Sequence, residues 1–355
     1  MIARRRSLVG TVGFAGLVAC VVVAPFLFTH YRTYQLAFVG IYLCSLVGLN
    51  ILTGLTGQIS LGHGAFMGVG AYTTTILVVD HGWRNLWTIP LAGLCAGLVG
   101  LAFGIPATRF AGPYLALATF AVPLSFIGLV KRFPHFTGGS IGRSLPLLKS
   151  ELGLHTNPSL WLYILSWTVA LSMFVVAWVI TRGRFGRTLR AVRDSEIAAT
   201  ANGVSTAATK TLAFGLSAFY CGVAGSLYAI GIAYVNPDTF PIDLSILLLT
   251  GVVIGGAGSL GGMVFGALFV EFIRISWGPA LVHTFSRVTT VRVDTHAPGS
   301  PLVIYGILLL LVLYAAPAGA AGLVRRLLTG RSAIADWAKS RKTTPSDPAT
   351  GSEQP

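Results

Sequence analysis

Charge is what this sequence has least of. Only 10% of its 355 residues are Asp, Glu, Lys or Arg, where a soluble domain carries about 25%. With 54% of the residues apolar, that scarcity excludes a water-soluble fold, because so much apolar surface cannot be kept from water by one chain. Acidic residues are scarcer still, 11 against 25 Lys and Arg, for a formal net charge of +14. The excess does not point to nucleic acid. No RNA- or DNA-binding motif accompanies it, and the basic residues lie between apolar runs and at the chain ends, as they do when they set membrane orientation. There are four cysteines, Cys20, Cys44, Cys95 and Cys221, each inside an apolar run. Their spacing fits neither a disulfide framework nor a zinc site, which leaves them as small packing residues. A G-x-x-x-x-G-K-[ST] loop is missing, and so is any nucleophile–base–acid set or metal-ligand cluster. The sequence therefore predicts no ATPase site, no catalytic apparatus and no cofactor of its own.

What the chain has is apolar runs of membrane-crossing length. About ten spans of roughly 20 residues can be drawn, at 8–29, 34–53, 61–79, 86–108, 111–130, 159–181, 211–233, 243–260, 262–280 and 301–323. The expected fold is an all-α, polytopic transmembrane bundle. The opening run follows the basic stretch Met1 to Ser7 and is too long for a signal peptide h-region, with no A-x-A site after it, so it reads as a retained first span. Alternate loops divide the positive charge unevenly. The set holding Arg4 to Arg6, Arg109, the run from Arg182 to Lys210 and the tail from Arg325 carries 16 of the 25 Lys and Arg. That bias predicts both termini in the cytoplasm, which requires an even number of spans. Residues 1–328 form the expected transmembrane domain. From 329 to 355 the chain fills with Ser, Thr, Pro and Lys and is expected to be a disordered tail. Phe133 to Pro158, rich in Gly, Pro and Ser, is expected outside as an ordered loop or short half-helix.

Glycine is abundant, 43 residues, and sits within the spans. Gly64/Gly68, Gly93/Gly97, Gly100/Gly104, Gly258/Gly262 and Gly262/Gly266 have the spacing that lets helix backbones approach closely in lipid. Two segments echo one another: TGQISLGHGAFMGVGAY from Thr56 and GGAGSLGGMVFGALF from Gly255 share Ser-Leu-Gly before a glycine-spaced apolar run. Paired glycine-interrupted segments in the two halves of a transporter mark where broken helices open to a cavity. Asn50, Gln58, Ser60 and His63, with Gly62 and Gly64, are the candidates for the translocation path. Each polar group among them has interhelical packing as its alternative. Glu271 and Arg274 are spaced to pair on one helix. Pro113 and Tyr114 are placed to start a span at the inner interface. Asp238 and Asp243 are read as outside, with capping of the eighth span favoured over docking of a soluble partner.

The stretch 182–210 is long and polar for a loop between two spans. It reads RFGRTLRAVRDSEIAATANGVSTAATKTLAF from Arg184, with a helix expected from Thr188 to Ala201 and stopped at Gly203. A small-residue helix with a charged face suits a groove on a partner protein. Ala198 and Ala199 are expected against that partner, with Arg187, Arg190, Asp194 and Glu196 at the rim.

This loop resembles the cytoplasmic coupling loop of binding-protein-dependent ABC permeases, through Glu196, Ala198 and Ala199 followed by Gly203. NILTGLTGQISLGHGAFMGVGAY from Asn50, RFAGPYLALATF from Arg109 and FTGGSIG from Phe136 are similar to permeases of the branched-chain amino acid class. So are YVNPDTF from Tyr234, SILLLTGVVIGGAGSLGGMVFGAL from Ser245 and LVIYGILLLLVLYAAPAGAAGL from Leu302. The resemblance spans about residues 35 to 325 and is strongest to the M-type subunit. It departs from the family pattern after the GPY motif, where Ala121, Val122 and Pro123 replace a polar or acidic residue. The resemblance implies an importer in the bacterial inner membrane, assembled with two ATP-binding subunits, a sister permease subunit and a periplasmic or extracellular substrate-binding protein. Leu, Ile, Val or similar zwitterions are the implied cargo; urea, short amides and other amino acids stay open. A stand-alone secondary transporter or channel is the alternative class, and the near absence of acidic residues from the spans speaks against it.

Overall fold

The computed structural model describes residues 16–110, 112–146 and 157–272, with Gly319 and Gly322. Within them the chain is helical, apart from one two-residue ribbon. The helices are α1 (Gly16–Leu27), α2 (His30–Leu49), α3 (His63–His81), α4 (Asn85–Ala107), α5 (Pro113–Arg132), α6 (Pro134–Thr137), α7 (Pro158–Arg182), α8 (Arg184–Asp194), α9 (Glu196–Ala201), α10 (Thr206–Ile232), α11 (Ile242–Gly255) and α12 (Gly262–Phe272). Strands β1 (Arg143–Ser144) and β2 (Tyr234–Val235) pair antiparallel. Six of these helices are long and apolar enough to cross a membrane. Helices are what an apolar chain must form in lipid, where backbone groups have no partner but each other.

The apolar runs place the helices well. The expected stretches 34–53, 86–108, 111–130, 159–181 and 211–233 correspond to α2, α4, α5, α7 and α10. The stretch 61–79 corresponds to α3, which is not among those six. The expected 243–260 is shorter in the structure: α11 stops at Gly255 because Gly256 turns left-handed at φ 98°, where the backbone favours glycine. Pro113 opens α5 as its first residue, where a missing N–H costs nothing. Asp243 sits in the first turn of α11 without making a side-chain cap, so the expected cap is absent. Asp238 instead lies 3.7 Å from Lys131. The half-helix expected after Phe133 is α6. Residues 1–15, Arg274, the stretches 273–318 and 323–355, and with them most of the tenth span and the expected tail, lie outside the described residues.

Two helices form the centre. The side chains of α2 from Ala37 to Leu49 and those of α10 from Ala213 to Ile230 are almost wholly enclosed. α10 packs most extensively on α4, then on α3 and α2, while α7, α11 and α12 pack on α2. Small residues make the closest approach. A Cβ on Gly100 would lie 2.3 Å from Ala218 Cβ, and one on Gly222 2.4 Å from Ala96 Cβ. The expected Gly93/Gly97 and Gly100/Gly104 pairs are thus the α4 surface that meets α10, packing that replaces the missing hydrophobic drive between helices in lipid. The partners also fix relative direction. His63 meets Ser217 and Thr74 meets Ser226, so α3 runs parallel to α10. Gly93 meets Val223 and Gly104 meets Phe214, so α4 runs antiparallel to it.

Candidate functional site

Between α7 and α10 the polar loop folds into α8 and α9, two short helices instead of the single one expected. The break is at Ser195, whose extended backbone (φ −162°, ψ 113°) leaves α8 and whose hydroxyl accepts the Ala198 N–H at 3.2 Å to cap α9. A Ser N-cap offers an orphan amide a partner that continued α-helix would not. Gly203, at φ 78°, ends α9. α8 is amphipathic: Gly186, Leu189 and Val192 are buried and the arginines are turned away.

Those arginines are not alike. Arg187 is exposed. Arg190 donates to the Thr181 carbonyl at 3.1 Å, and Arg193 donates to the Gly54 carbonyl at 2.5 Å. Each therefore satisfies a carbonyl at the C-terminal end of a span, where the helix leaves acceptors unpaired and its dipole is negative. Glu196 is held by buried Lys210 at 2.5 Å. All four expected rim charges are exposed, Arg190 and Glu196 with these intrachain contacts as well. Ala199 is 5% exposed and packs inward while Ala198 is exposed, so the two alanines expected together against a partner lie on different faces of the turn. The outward face is headed instead by Ile197, 86% exposed.

The path candidates gather where α2 ends and α3 begins, against α10 and α11. α2 widens into a π-helical turn over Asn50–Gly54, a local form that recurs at functional sites. Asn50 is fully enclosed; its Oδ1 accepts the Gly258 N–H at 2.7 Å, and among the described residues its Nδ2 has no partner. From Gly57 the chain runs non-helically to Gly62, with Gln58 and Ser60 buried and Gln58 Oε1 unpartnered among the described residues. The Ser60 hydroxyl accepts the Gly62 N–H at 3.3 Å, and Ser259 does the same for Gly262 at 3.2 Å. Each Ser-Leu-Gly echo thus has its serine bonded to a glycine N–H at the start of a new helix, two residues on in the first and three in the second. Gly258 of the second packs against Gly54, just ahead of the first. His63 Nε2 lies 2.7 Å from Ser217 Oγ and the Gly64 N–H donates to Ser245 Oγ at 2.9 Å. Asn50, Ser60, His63 and Gly64 are enclosed between helices of this one chain.

The sequence reading passed over several contributors. Ser217, Ser245 and Gly258 are ordinary residues of apolar runs until the fold brings them to His63, Gly64 and Asn50. Thr119 donates no such hint by type, yet its hydroxyl accepts the Leu61 N–H at 3.0 Å and its carbonyl would be 3.3 Å from a Cβ on Gly62. The available signal was Pro123, four residues on, which lacks the N–H that would bond that carbonyl. Arg193 was read only as part of the positive loop.

With this geometry in place, comparison with known proteins is informative. Residues 31–316 match the family described as branched-chain amino acid transport system, permease component. The chain is 33% identical over 259 residues to the high-affinity branched-chain amino acid transport system permease protein LivM of Escherichia coli K12, covering 66% of this chain and 60% of that protein. It is 26% identical over 239 residues to BraD of Pseudomonas aeruginosa, a protein described in the same words, covering 63% of this chain and 78% of that one. It is also 26% identical over 232 residues to the autoinducer 2 import system permease protein LsrC of Escherichia coli O9:H4, covering 62% and 64%. The matched stretch spans less than two thirds of the LivM protein's length. No solved structure matches. Long apolar helices, a family match over most of the chain and a LivM-like sequence agree: this is a multi-pass membrane protein that belongs to the branched-chain amino acid transport permease family.

Proposed function

We propose that the chain is one transmembrane subunit of an ATP-driven importer and carries Leu, Ile, Val or similar small zwitterions inward. The observation that carries this is the loop between α7 and α10, a folded two-helix platform whose outer face presents Ile197 and Ala198. A loop needed only for topology has no reason to fold this way. Two ATP-binding subunits would dock on residues 182–210, at this chain and at a sister permease subunit. A periplasmic or extracellular binding protein would deliver cargo to the opposite face, at a bacterial inner membrane. Residues 1–328 would form the permease domain and 329–355 a disordered cytoplasmic tail, with about ten spans and both termini inside. Hydrolysis would occur on the partners, and α8 and α9 would pass their motion to the spans around the Asn50–Gly64 segment.

A second cargo reading draws on a specific observation: the relative named for autoinducer 2 import belongs to the same set of similar proteins. A few pocket contacts worth about 1–3 kcal/mol would change an apolar side-chain preference. Substrate-stimulated ATP hydrolysis by the reconstituted complex, measured across amino acids, urea, short amides and autoinducer 2, tests both readings. Stimulation by Leu, Ile and Val supports the first. Stimulation by another class alone supports the second, and hydrolysis indifferent to every solute contradicts both.

A further inference from the structure

We propose that Arg193 is the positioning residue through which movement of the coupling helix α8 reaches the π-helical end of α2 and, through Asn50, the glycine loop before α12. This rests on the reading of residues 182–210 as the ATPase-docking loop and adds the route inward from it. α8 is tied at two points one turn apart. Arg190 holds it to α7 through the Thr181 carbonyl, close to the covalent junction at Gly183, so that tie moves with α7 whatever α8 does. Arg193 crosses to a different span, one 139 residues away in sequence. A guanidinium on a C-terminal carbonyl is a charge-assisted bond, and here its acceptor Gly54 is buried while Arg193 itself is exposed.

The acceptor is placed where a displacement has somewhere to go. Gly54 ends the π turn, and a Cβ there would lie 2.2 Å from Asn50 Oδ1 and 2.4 Å from the Gly258 nitrogen. Gly258 in turn is close to Arg193, since a Cβ on it would be 3.5 Å from the guanidinium Nη1. The Arg193 guanidinium, the Gly54 carbonyl, the Asn50 amide and the Gly258 N–H thus form one packed chain from the cytoplasmic helix to both glycine loops. Asn50 supplies an independent sign of a second arrangement. Its Nδ2 is enclosed and has no acceptor among the described residues, a cost that a second arrangement could repay. A π turn, one residue wider than an α turn, gives α2 the slack to shift register locally. Pulling Gly54 outward would move its carbonyl relative to Asn50 and release Gly258.

The test compares Arg193→Met, which keeps the apolar stem and removes every donor, with Arg193→Lys, which keeps one charged donor. Both are made in the full complex, reconstituted in proteoliposomes, reading co-purified ATPase subunits, ATP hydrolysed and leucine taken up. The account expects Arg193→Met to retain its ATPase subunits and basal hydrolysis while uptake per ATP falls about tenfold, the size expected for one charge-assisted bond, with partial rescue in Arg193→Lys. Uptake per ATP unchanged in Arg193→Met overturns the proposal. So does equal loss of subunit binding, hydrolysis and uptake, because that marks a structural staple. Failure of the wild-type chain to retain any ATPase subunit would instead sink the docking reading on which the proposal rests.

Discussion

The Gly64 N–H donates to the Ser245 hydroxyl at 2.9 Å, and a Cβ on Gly64 would lie 2.7 Å from that same oxygen. Gly64 is the second residue of α3, so its amide is one of the orphan donors every helix start leaves. α11 supplies the missing cap from 181 residues away. Removing the acceptor strands a buried donor, at about 1–3 kcal/mol. We predict that Ser245→Ala lowers the thermal unfolding midpoint of the purified protein, while Ser245→Thr, which keeps a hydroxyl, loses less. Equal midpoints for Ser245→Ala and wild type would mean the contact is idle.

Gly62 and Gly64 should respond differently to added bulk. The nearest atom to a Cβ on Gly62 is the Thr119 carbonyl oxygen at 3.3 Å, a contact that a few tenths of an ångström relieves. At Gly64 the obstacle is 2.7 Å away and is also the hydrogen-bond acceptor. We predict that Gly62→Ala retains most transport and Gly64→Ala loses most of it, and that leucine at either position abolishes it. Uptake assays on membranes with matched protein levels check the order. Normal uptake in both leucine variants would return these glycines to ordinary packing.

The α8–α9 loop makes a further prediction about neighbouring alanines. Ala199 is buried and Ala198 and Ile197 face outward. Ala199→Trp should therefore destabilise the protein itself by overpacking, about 1–3 kcal/mol. Ile197→Asp and Ala198→Trp should leave its melting unchanged and weaken ATPase co-purification. Gly203 sits at φ 78°, so Gly203→Val is expected to cost about 1–2 kcal/mol in backbone strain. Thermal shift and pull-down, run on the same four variants, separate the two behaviours; identical profiles for Ala198→Trp and Ala199→Trp would contradict the assignment of faces.

At the opposite end, Arg143 grips Asp80 with both guanidinium nitrogens at 2.6 Å and also reaches the Phe136 carbonyl at 2.9 Å. The hydrogen bond from Arg143 holds the Asp80 carboxyl below its ordinary range. A depressed folded pKa means the tie is present above the unfolded value, about 3.9, and is lost as pH falls through the lower folded value. We predict that hydrogen exchange in the 133–146 loop quickens below about pH 4 and that Asp80→Asn exchanges fast at every pH. A loop equally protected in both proteins at neutral pH would refute this.

Much of this was legible in the chain before folding. Span positions follow from apolar length, and the ends of α4, α5 and α7 follow from the charges and prolines that flank them. The break at Ser195 was readable too, since Ser followed by Glu and alanines is an N-cap signature. Other features were not, for a physical reason. All the spans are similarly apolar, so nothing in their composition says that α2 and α10 are central. The π turn at Asn50 has no local code, and Arg193 differs from Arg187 only in what the fold places beside it. Lipid-facing and buried faces are chemically alike in a membrane protein, so tertiary neighbours, not periodicity, decide which polar group does what.

Direction and energy source together test the account most directly. The measurement is accumulation of labelled leucine in proteoliposomes that hold the permease pair and its ATPase subunits, with binding protein outside and ATP within. The account predicts accumulation against a gradient that requires internal ATP, stops when Ile197→Asp replaces the wild-type chain, and is indifferent to proton or sodium gradients. Accumulation driven by an ion gradient without ATP would contradict it.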